Sequence, residues 1–515
     1  MDANAGAVGA PTRVAFRSAA GRWVLAATVG GSGMAFLDGT VVNVALPTIG
    51  RDLSADVAGL QWILNGYMLT LAALILLSGS LGDRYGRLRT FQVGVVWFAL
   101  ASAACAGAVT LPMLILARVA QGIGGALLTP GSLALIEASF AEKDRARAIG
   151  AWSGLTGVAT AVGPFVGGWL VDAGTWRYIF LLNLPLAAAV VAVAARHVPE
   201  SRDTTAARRL DLSGAALGAV GLGGVTYALI EAGEFGFAAP SVIAGGLAGL
   251  ACLAAFAVVE RRSSHPMLPP GVFTSKQFTA ANLVTAAVYA ALGAVFFLLV
   301  VYLQQVLGYS ALEAGAASLP ITALMLALSA RSGQLAQRIG PRTQMSLGPL
   351  LMAGGLLLMV RIAPGGSYMS TVLPAVIVLG LGLATTVAPL TATVLSAAQD
   401  RYAGVASGVN NAVARAAQLI AVAVVPLAAG ITGGVYRNPA AFAPGFHVAM
   451  LITAGLAVAG GLLAFATIRK PGADRTAAAR VVRGRHHCAI DAPALARCPR
   501  SGAASPPARA GRDTP

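Results

Sequence analysis

Three ionised side chains stand deep inside apolar stretches of this chain: Asp38, Arg118 and Arg415. Charge is costly in such surroundings, so these residues face a partner or a cavity and are functional by default. If each stretch is a helix rising about 1.5 Å per residue, Asp38 and Arg118 lie at depths within about 5 Å of each other. Loss of water favours the neutral form of a carboxylate, and a neighbouring guanidinium favours the charged form. A carboxylate held between those pressures can take up and release a proton. Asp38 is therefore the candidate proton-coupling and cation-sensing group, with Arg118 tuning it. The same two residues also fit a static pair that ties two helices together. Arg415, beside Asn410 and Asn411, has no carboxylate at comparable depth in its half of the chain. It either faces a cavity and takes an anionic group, or it bonds backbone carbonyls. Asn43, Tyr67, Gln121 and Asn183 are further candidates for a substrate cavity, and each equally fits an ordinary interhelical hydrogen bond.

A second cluster lies between two apolar runs, where residues 78–91 read SGSLGDRYGRLRTF. Gly79, Gly82 and Gly86 permit a tight turn with close backbone approach. Asp83 can accept from helix N-terminal amides or pair with a basic residue, while Arg84 and Arg87 can reach carboxylates or lipid phosphates. A loop that merely orients its helices would need the arginines, but neither the lone aspartate nor the glycine spacing.

The elements that carry these residues are set by composition. The chain has 515 residues, 57% hydrophobic and only 11% charged, against roughly a quarter charged in a soluble protein. Its mean hydropathy is +0.75. Apolar runs long enough to span a bilayer recur from end to end, at 23–47, 61–81, 91–110, 111–136, 149–171, 176–196, 212–231, 240–259, 278–303, 315–332, 344–362, 370–396, 403–430 and 446–468. The chain is thus expected to be an all-α polytopic membrane protein of fourteen transmembrane helices. With the N-terminus taken as cytoplasmic, thirty of the 36 basic residues fall in cytoplasmic loops and tails and four in outer loops. By the positive-inside rule this places both termini in the cytoplasm of a multi-pass inner (cytoplasmic) membrane protein. Trp23, Trp62, Trp152, Trp169 and Trp176 fall near span ends, as interfacial anchoring requires. The net charge of +16 is dispersed between apolar runs and in the tail, so it marks topology and no nucleic-acid partner.

The loop at 78–91 has an echo. Gly79, Leu81, Arg84 and Gly86 return as Gly333, Leu335, Arg338 and Gly340, with Gln337 in place of Asp83. If spans 212–231 and 240–259 are an insert, each copy follows the second helix of a six-helix half. The expected organisation is a cytoplasmic tail (1–22), an N-terminal six-helix bundle (23–196), a linker with two extra transmembrane helices (197–277), a C-terminal six-helix bundle (278–468) and a disordered basic tail (469–515).

Several motifs then carry a resemblance. Gly79-Ser-Leu-Gly-Asp83-Arg84-Tyr-Gly86-Arg87 resembles the loop 2–3 signature of the major facilitator superfamily. Leu37-Asp38-Gly-Thr40-Val-Val-Asn43-Val-Ala-Leu-Pro47 resembles the first-helix motif of its 14-helix drug:proton antiporter branch, and Arg118-x-x-Gln121-Gly122-x-Gly124 the fourth-helix motif. Gly163-Pro164-x-x-Gly167-Gly168, with Gly150 upstream, matches the antiporter motif of helix five, with Ala159 where glycine is usual. Trp176-Arg177-Tyr-Ile-Phe180-x-x-Asn183-x-Pro185 is similar to the start of helix six. The resemblance implies alternating access between two bundles, loop 2–3 latching them on the cytoplasmic side when the cavity faces outward, and a bend in helix five that sets the direction of opening. It implies proton-driven export of lipophilic or cationic small molecules, of the multidrug efflux type.

By their own chemistry the helix-five residues Gly150, Gly163, Gly167 and Gly168 read as a smooth packing face, and Pro164 removes one backbone hydrogen bond. No catalytic constellation is visible and no GxxxxGK[ST] run, so an enzyme or an ATP-driven pump is not expected. No metal or organic cofactor is expected either, the proton being the coupling ion; His486, His487, Cys488 and Cys498 match no zinc spacing. The partners expected are a small-molecule substrate, the lipid bilayer and protons, with the chain working as a monomer. An uptake symporter or facilitator, or an exporter of a self-made metabolite, remains an alternative on the same fold.

Overall fold

In hydrocarbon a backbone must satisfy its own N–H and C=O groups, and a helix does so within one run. The computed structural model describes residues 14–202, 211–263, 266–398 and 403–469, all within the compact unit Met1–Arg469. The tail beyond Arg469 and its His486, His487, Cys488 and Cys498 lie outside the described residues.

Each predicted span is a helix, generally longer than its apolar core. The fourteen are α1 (Ala19–Asp52), α2 (Val57–Tyr85), α3 (Arg87–Ala106), α4 (Leu111–Ser139), α5 (Glu142–Ala173), α6 (Tyr178–His197), α7 (Leu212–Phe235), α8 (Pro240–Arg262), α9 (Lys276–Gln305), α10 (Ala311–Ile339), α11 (Pro341–Met359), α12 (Tyr368–Ala397), α13 (Ala403–Ala428) and α14 (Pro439–Thr467). Thirteen are long and apolar enough to cross a membrane. The exception, α11, opens with Arg342, Thr343 and Gln344, and it buries Gln344 and Ser346. Side-chain caps fix many of the starts: Ser18, Asp56, Thr110, Asp211, Ser275 and Asn438 each accept from a backbone N–H in the first turn, and Ser310 with Glu313 forms a capping box on α10.

The sequence echo is an echo of backbone. Gly86 ends α2 at φ 110° and Gly340 ends α10 at φ 92°, and each donates its N–H to the carbonyl four residues back. That conformation suits glycine, which has no Cβ to clash. Packing repeats as well. In the first half α1 packs on α5 and α6, and α4 on α2 and α3; in the second, α9 packs on α13 and α14, and α12 on α10 and α11. Between halves, α2 meets α13 and α5 meets α10, the two contacts a twofold relation between bundles requires. The insert helices α7 and α8 pack on one another, with α7 resting on α2 and α13.

Among the described residues, backbone and amide hydrogen bonds joining the halves gather at the end away from Val14 and Arg469. There Gln61 donates to the Val422 carbonyl (2.6 Å), Gln304 to the Val44 carbonyl (2.8 Å) and Tyr436 to the Ala55 carbonyl (2.7 Å). Asp172, near the end of α5, accepts from the first two amides of α10, Ala311 (3.2 Å) and Leu312 (2.8 Å). This carboxylate caps a helix of the other half. Asp172→Ala is expected to lower the stability of the closed end by about 1 kcal/mol, with Asp172→Asn losing less because one acceptor oxygen remains. Thermal unfolding of the two variants side by side checks this.

The tryptophans split. Trp23 and Trp169 are exposed at 43% and 55%, as anchors are expected to be. Trp176 is 2% exposed and donates its indole N–H to Asp52 at 2.8 Å, so it is a structural residue and not an interfacial anchor. Trp62 and Trp152 likewise donate to Glu231 and Ser32.

Candidate functional site

Close packing of α4 brings the charged residues together. A Cβ on Gly122 would overlap Thr70 Oγ1 and the Tyr67 carbonyl of α2, and one on Gly124 would stand 2.8 Å from the Phe98 amide of α3. Those two glycines let α4 lie against both neighbours, with Arg118 one turn before Gly122 and Gln121 next to it on the same helix.

The result is a closed polar network at the centre of the first half. Arg118 Nη1 donates to Asp38 Oδ2 and to Gln121 Oε1, each at 2.5 Å, and its Nε donates to the Ile63 carbonyl of α2 at 3.1 Å. Gln121 Nε2 donates to Asp38 Oδ1 at 2.8 Å and to Ser102 Oγ at 2.9 Å. Asn183 Nδ2 donates to the same two oxygens at 3.3 Å and 3.2 Å. The Arg118 guanidinium lies over the Tyr67 ring at 4.4 Å and near that of Phe180 at 5.8 Å, and Tyr67 donates its O–H to the Ala35 carbonyl of α1. Asp38 is 2% exposed and Arg118 1%. One carboxylate thus gathers donors from α4 and α6, and the guanidinium paired with it is bound to α2 as well.

Of the residues singled out in the sequence, Asp38, Arg118, Gln121, Asn183 and Tyr67 meet here. Asn43 does not: its Nδ2 donates to the Gly39 carbonyl of its own helix. Arg415 belongs to the second half and faces Phe36 and Met68, outside the network. Ser102 and Phe180 were missed as site residues. Ser102 is one hydroxyl in an alanine-rich run, and nothing in its spacing separates it from a packing serine. The Ile63 carbonyl is backbone and has no sequence signature.

Loop 2–3 is arranged within the first half. Asp83 Oδ1 accepts from Arg87 Nε at 2.9 Å and Nη2 at 2.8 Å. The N-terminal amides of α3 go instead to Glu200, which follows α6: its carboxylate accepts from Leu88 at 3.0 Å and Arg89 at 3.1 Å. Of the two partners open to Asp83, the structure selects the basic side chain. Arg84 lies over the Tyr85 ring at 5.1 Å, and a methyl on Gly79 would meet nothing within 4 Å.

The glycines of α5 do three different things. Gly163 abuts Thr40 and Gly167 abuts Val41, where a Cβ would stand 2.8 Å from Cγ1, so both seat α5 on α1. Gly168 abuts the start of α10 in the other half, 2.5 Å from Ala311 O and Leu312 Cα for a built Cβ. The carbonyl of Pro164 faces Gly315 of α10. Gly150 departs from the expectation of one continuous packing face, because a methyl there would meet nothing within 4 Å.

The Major Facilitator Superfamily profile matches residues 28–422. The chain is 35% identical over 481 residues to the puromycin resistance protein pur8 of Streptomyces alboniger, covering 90% of this chain and 95% of that one. It is 37% identical over 390 residues to the multidrug resistance protein Stp of Mycobacterium tuberculosis, covering 75% and 72%. A crystal structure of the peptide transporter POT in complex with sulfate superposes with a TM-score of 0.64 at 15% identity, over 88% of this chain and 96% of that one. That last likeness is one of fold.

Proposed function

The chain belongs to the major facilitator superfamily as a multi-pass membrane protein, and from that premise we propose that it is a proton-coupled antiporter that exports lipophilic or cationic small molecules by alternating access. The names of its relatives, which are resistance proteins, support export of drug-like compounds. The positive charge of the predicted cytoplasmic loops supports both termini in the cytoplasm.

The observation that carries the proton step is the saturation of Asp38 by donors. Oδ2 takes Arg118, and Oδ1 takes Gln121 and Asn183. A ring made only of donors suits the charged carboxylate, which can only accept. A proton arriving on Oδ2 displaces the Arg118 contact, and the guanidinium still keeps Gln121 Oε1 and the Ile63 carbonyl. Protonation therefore releases the ionic tie between α1 and α4, leaving Gln121 on Oδ1, without leaving Arg118 bare. Asn183 adds a second feature, since its Oδ1 is buried with no donor. Turning the amide offers that oxygen to a protonated Asp38. Burial of Asp38 in this state closes it to water, so proton exchange belongs to a different arrangement of the bundles.

Loop 2–3 is proposed as the cytoplasmic latch, here disengaged, because Asp83 and Arg87 satisfy each other within one half. The pair is partly exposed, at 36% and 23%, and such pairs contribute about 0–1 kcal/mol. Asp83→Asn is therefore expected to leave thermal stability within about 1 kcal/mol of the parent. It is expected to slow transport about tenfold, on the reading that the latch is worth about 1.4 kcal/mol to the outward-facing state. Unchanged transport by an intact, inserted Asp83→Asn protein would remove the latch from this account.

The coupled function is tested with purified protein in liposomes holding a pH-sensitive dye. An imposed proton gradient followed by a panel of lipophilic cations, neutral drugs and organic anions should give proton movement opposite to the substrate. Movement in the same direction would indicate symport.

A further inference from the structure

The interior charges do not balance. Asp38 and Arg118 neutralise each other at 2.5 Å, which leaves Arg415, on α13. Its own half is poor in possible partners: between residues 278 and 468 the acidic residues are Glu313 and Asp400. Glu313 is occupied in the capping box of α10, and Asp400 lies outside the described residues. Among the described residues no carboxylate stands within ion-pair distance of Arg415. Its neighbours do not hold it either, for Asn410 donates to Asn282 and Thr285 of α9 and Asn411 to the Ser407 carbonyl of its own helix.

What Arg415 does touch is apolar and comes from the other half. Nη1 lies 3.9 Å from the Met68 sulfur of α2, and the guanidinium lies 5.8 Å from the centre of the Phe36 ring of α1. The side chain is partly exposed. It therefore stands where the two halves meet, beside Phe36, which precedes Asp38 by two residues on α1. Gln418, three residues further along α13, shares its face, and its buried Oε1 has no donor. A fixed cation at that depth repels a cationic solute and lacks the anion that would offset its burial. A guanidinium beside a phenyl ring and a thioether offers a fork for an oxyanion and an apolar bed for the body attached to it.

We propose that Arg415 selects the charge of the transported molecule, binding the carboxylate or other oxyanion of an amphiphilic aromatic compound whose apolar body lies against Phe36 and Met68. The inference rests on the transport reading above and changes its substrate class, keeping lipophilic bodies but replacing the cationic group with an anionic one. The same oxyanion chemistry is presented by a phospholipid phosphate, so the source is part of the test.

The experiment uses the full chain in phosphatidylcholine nanodiscs and a matched pair of fluorescent probes, anthracene-9-carboxylate and 9-(aminomethyl)anthracene. The carboxylate is expected to bind at least about tenfold more tightly than the amine, one decade corresponding to about 1.4 kcal/mol. Arg415→Gln should erase that preference and Arg415→Lys should keep part of it. Asn411→Asp, which places a carboxylate one turn from Arg415, should also weaken carboxylate binding, and it covers the case in which Arg415→Gln fails to fold. Adding phosphatidylglycerol to the nanodiscs separates the sources. Competition confined to the parent protein identifies a lipid phosphate as the occupant, and absence of competition identifies the free solute. Equal binding of the two probes by the parent, or a preference that survives Arg415→Gln, overturns the proposal. A parent protein that prefers the carboxylate probe but gives no substrate-evoked proton movement in the liposome assay would count against the coupling reading alone.

Discussion

Asp38→Asn is expected to abolish substrate-evoked proton movement in liposomes, a fall of at least about a hundredfold, equivalent to about 2.7 kcal/mol or more. The substitution preserves shape but removes both the charge and the site of protonation. It also leaves Arg118, which is 1% exposed, without a countercharge, its acceptors being Gln121 Oε1, the Ile63 carbonyl and the one amide oxygen that remains at residue 38. Breaking a buried pair from one side costs about 3–5 kcal/mol, because an uncompensated charge remains. The variant should therefore be less stable as well as uncoupled, and the two effects must be separated. Asp38→Asn combined with Arg118→Gln does so. Removing both partners takes away the stranded charge, so thermal stability should recover while proton movement stays lost. If the double variant regains coupled transport along with stability, the pair is a static tie between α1 and α4, and the proton binds elsewhere. If single Asp38→Asn transports with a normal proton signal, the assignment of Asp38 fails outright.

Much of this site was legible because charge is scarce in the apolar helices. Asp38 and Arg118 announced themselves by cost, and helical rise placed them at similar depths before any fold was known. Gln121 lies three residues from Arg118, on the same face of α4, so the same periodicity carried it in. Asn183 and Tyr67 came through as polar groups on neighbouring spans. Asn43 came through equally, and it turned back to the Gly39 carbonyl, because a helix always offers an asparagine a carbonyl four residues earlier. Pattern cannot decide between those fates. Ser102 was invisible for the opposite reason, being small enough to pass as packing. The fourteen helices followed from hydropathy, but their lengths did not: α5 begins at Glu142, seven residues before its apolar core. Amphipathic first turns carry polar residues into the helix, where hydropathy does not follow them. The repeated loop was readable as Gly86 and Gly340, since a positive φ at a helix end leaves glycine in the sequence. The seam between the halves was not, because it is made of backbone carbonyls.

That seam supplies the second large effect. Gly168→Val is expected to block closure of the end at which α5 meets α10 and to reduce transport by about a hundredfold, as a penalty of about 3 kcal/mol on one of two required states would do. The reason is geometric. A Cβ at residue 168 would stand 2.5 Å from the Ala311 carbonyl oxygen and from Leu312 Cα, both backbone atoms at the start of α10. Overpacking costs about 1–3 kcal/mol when neighbours can adjust, and here the obstructing atoms are pinned, since Asp172, one turn on, holds the amides of the same two residues. Relief is available only by lifting α10 away from α5, and that movement opens this end. The penalty thus falls on the closed state and spares the open one. In a chain with Cys105, Cys252, Cys488 and Cys498 replaced by alanine, Gln304→Cys reports on the seam, because Gln304 spans it to the Val44 carbonyl. A membrane-impermeant maleimide applied from the outside should label that cysteine at least about tenfold faster when Gly168→Val is present, a bias of about 1.4 kcal/mol or more towards the open state. Gly150→Ala is the control within the same motif, since its added methyl meets nothing within 4 Å and should change neither labelling nor transport. If labelling is unchanged by Gly168→Val while transport persists, the α5–α10 contact is a fixed joint, and the bundles rock about some other line.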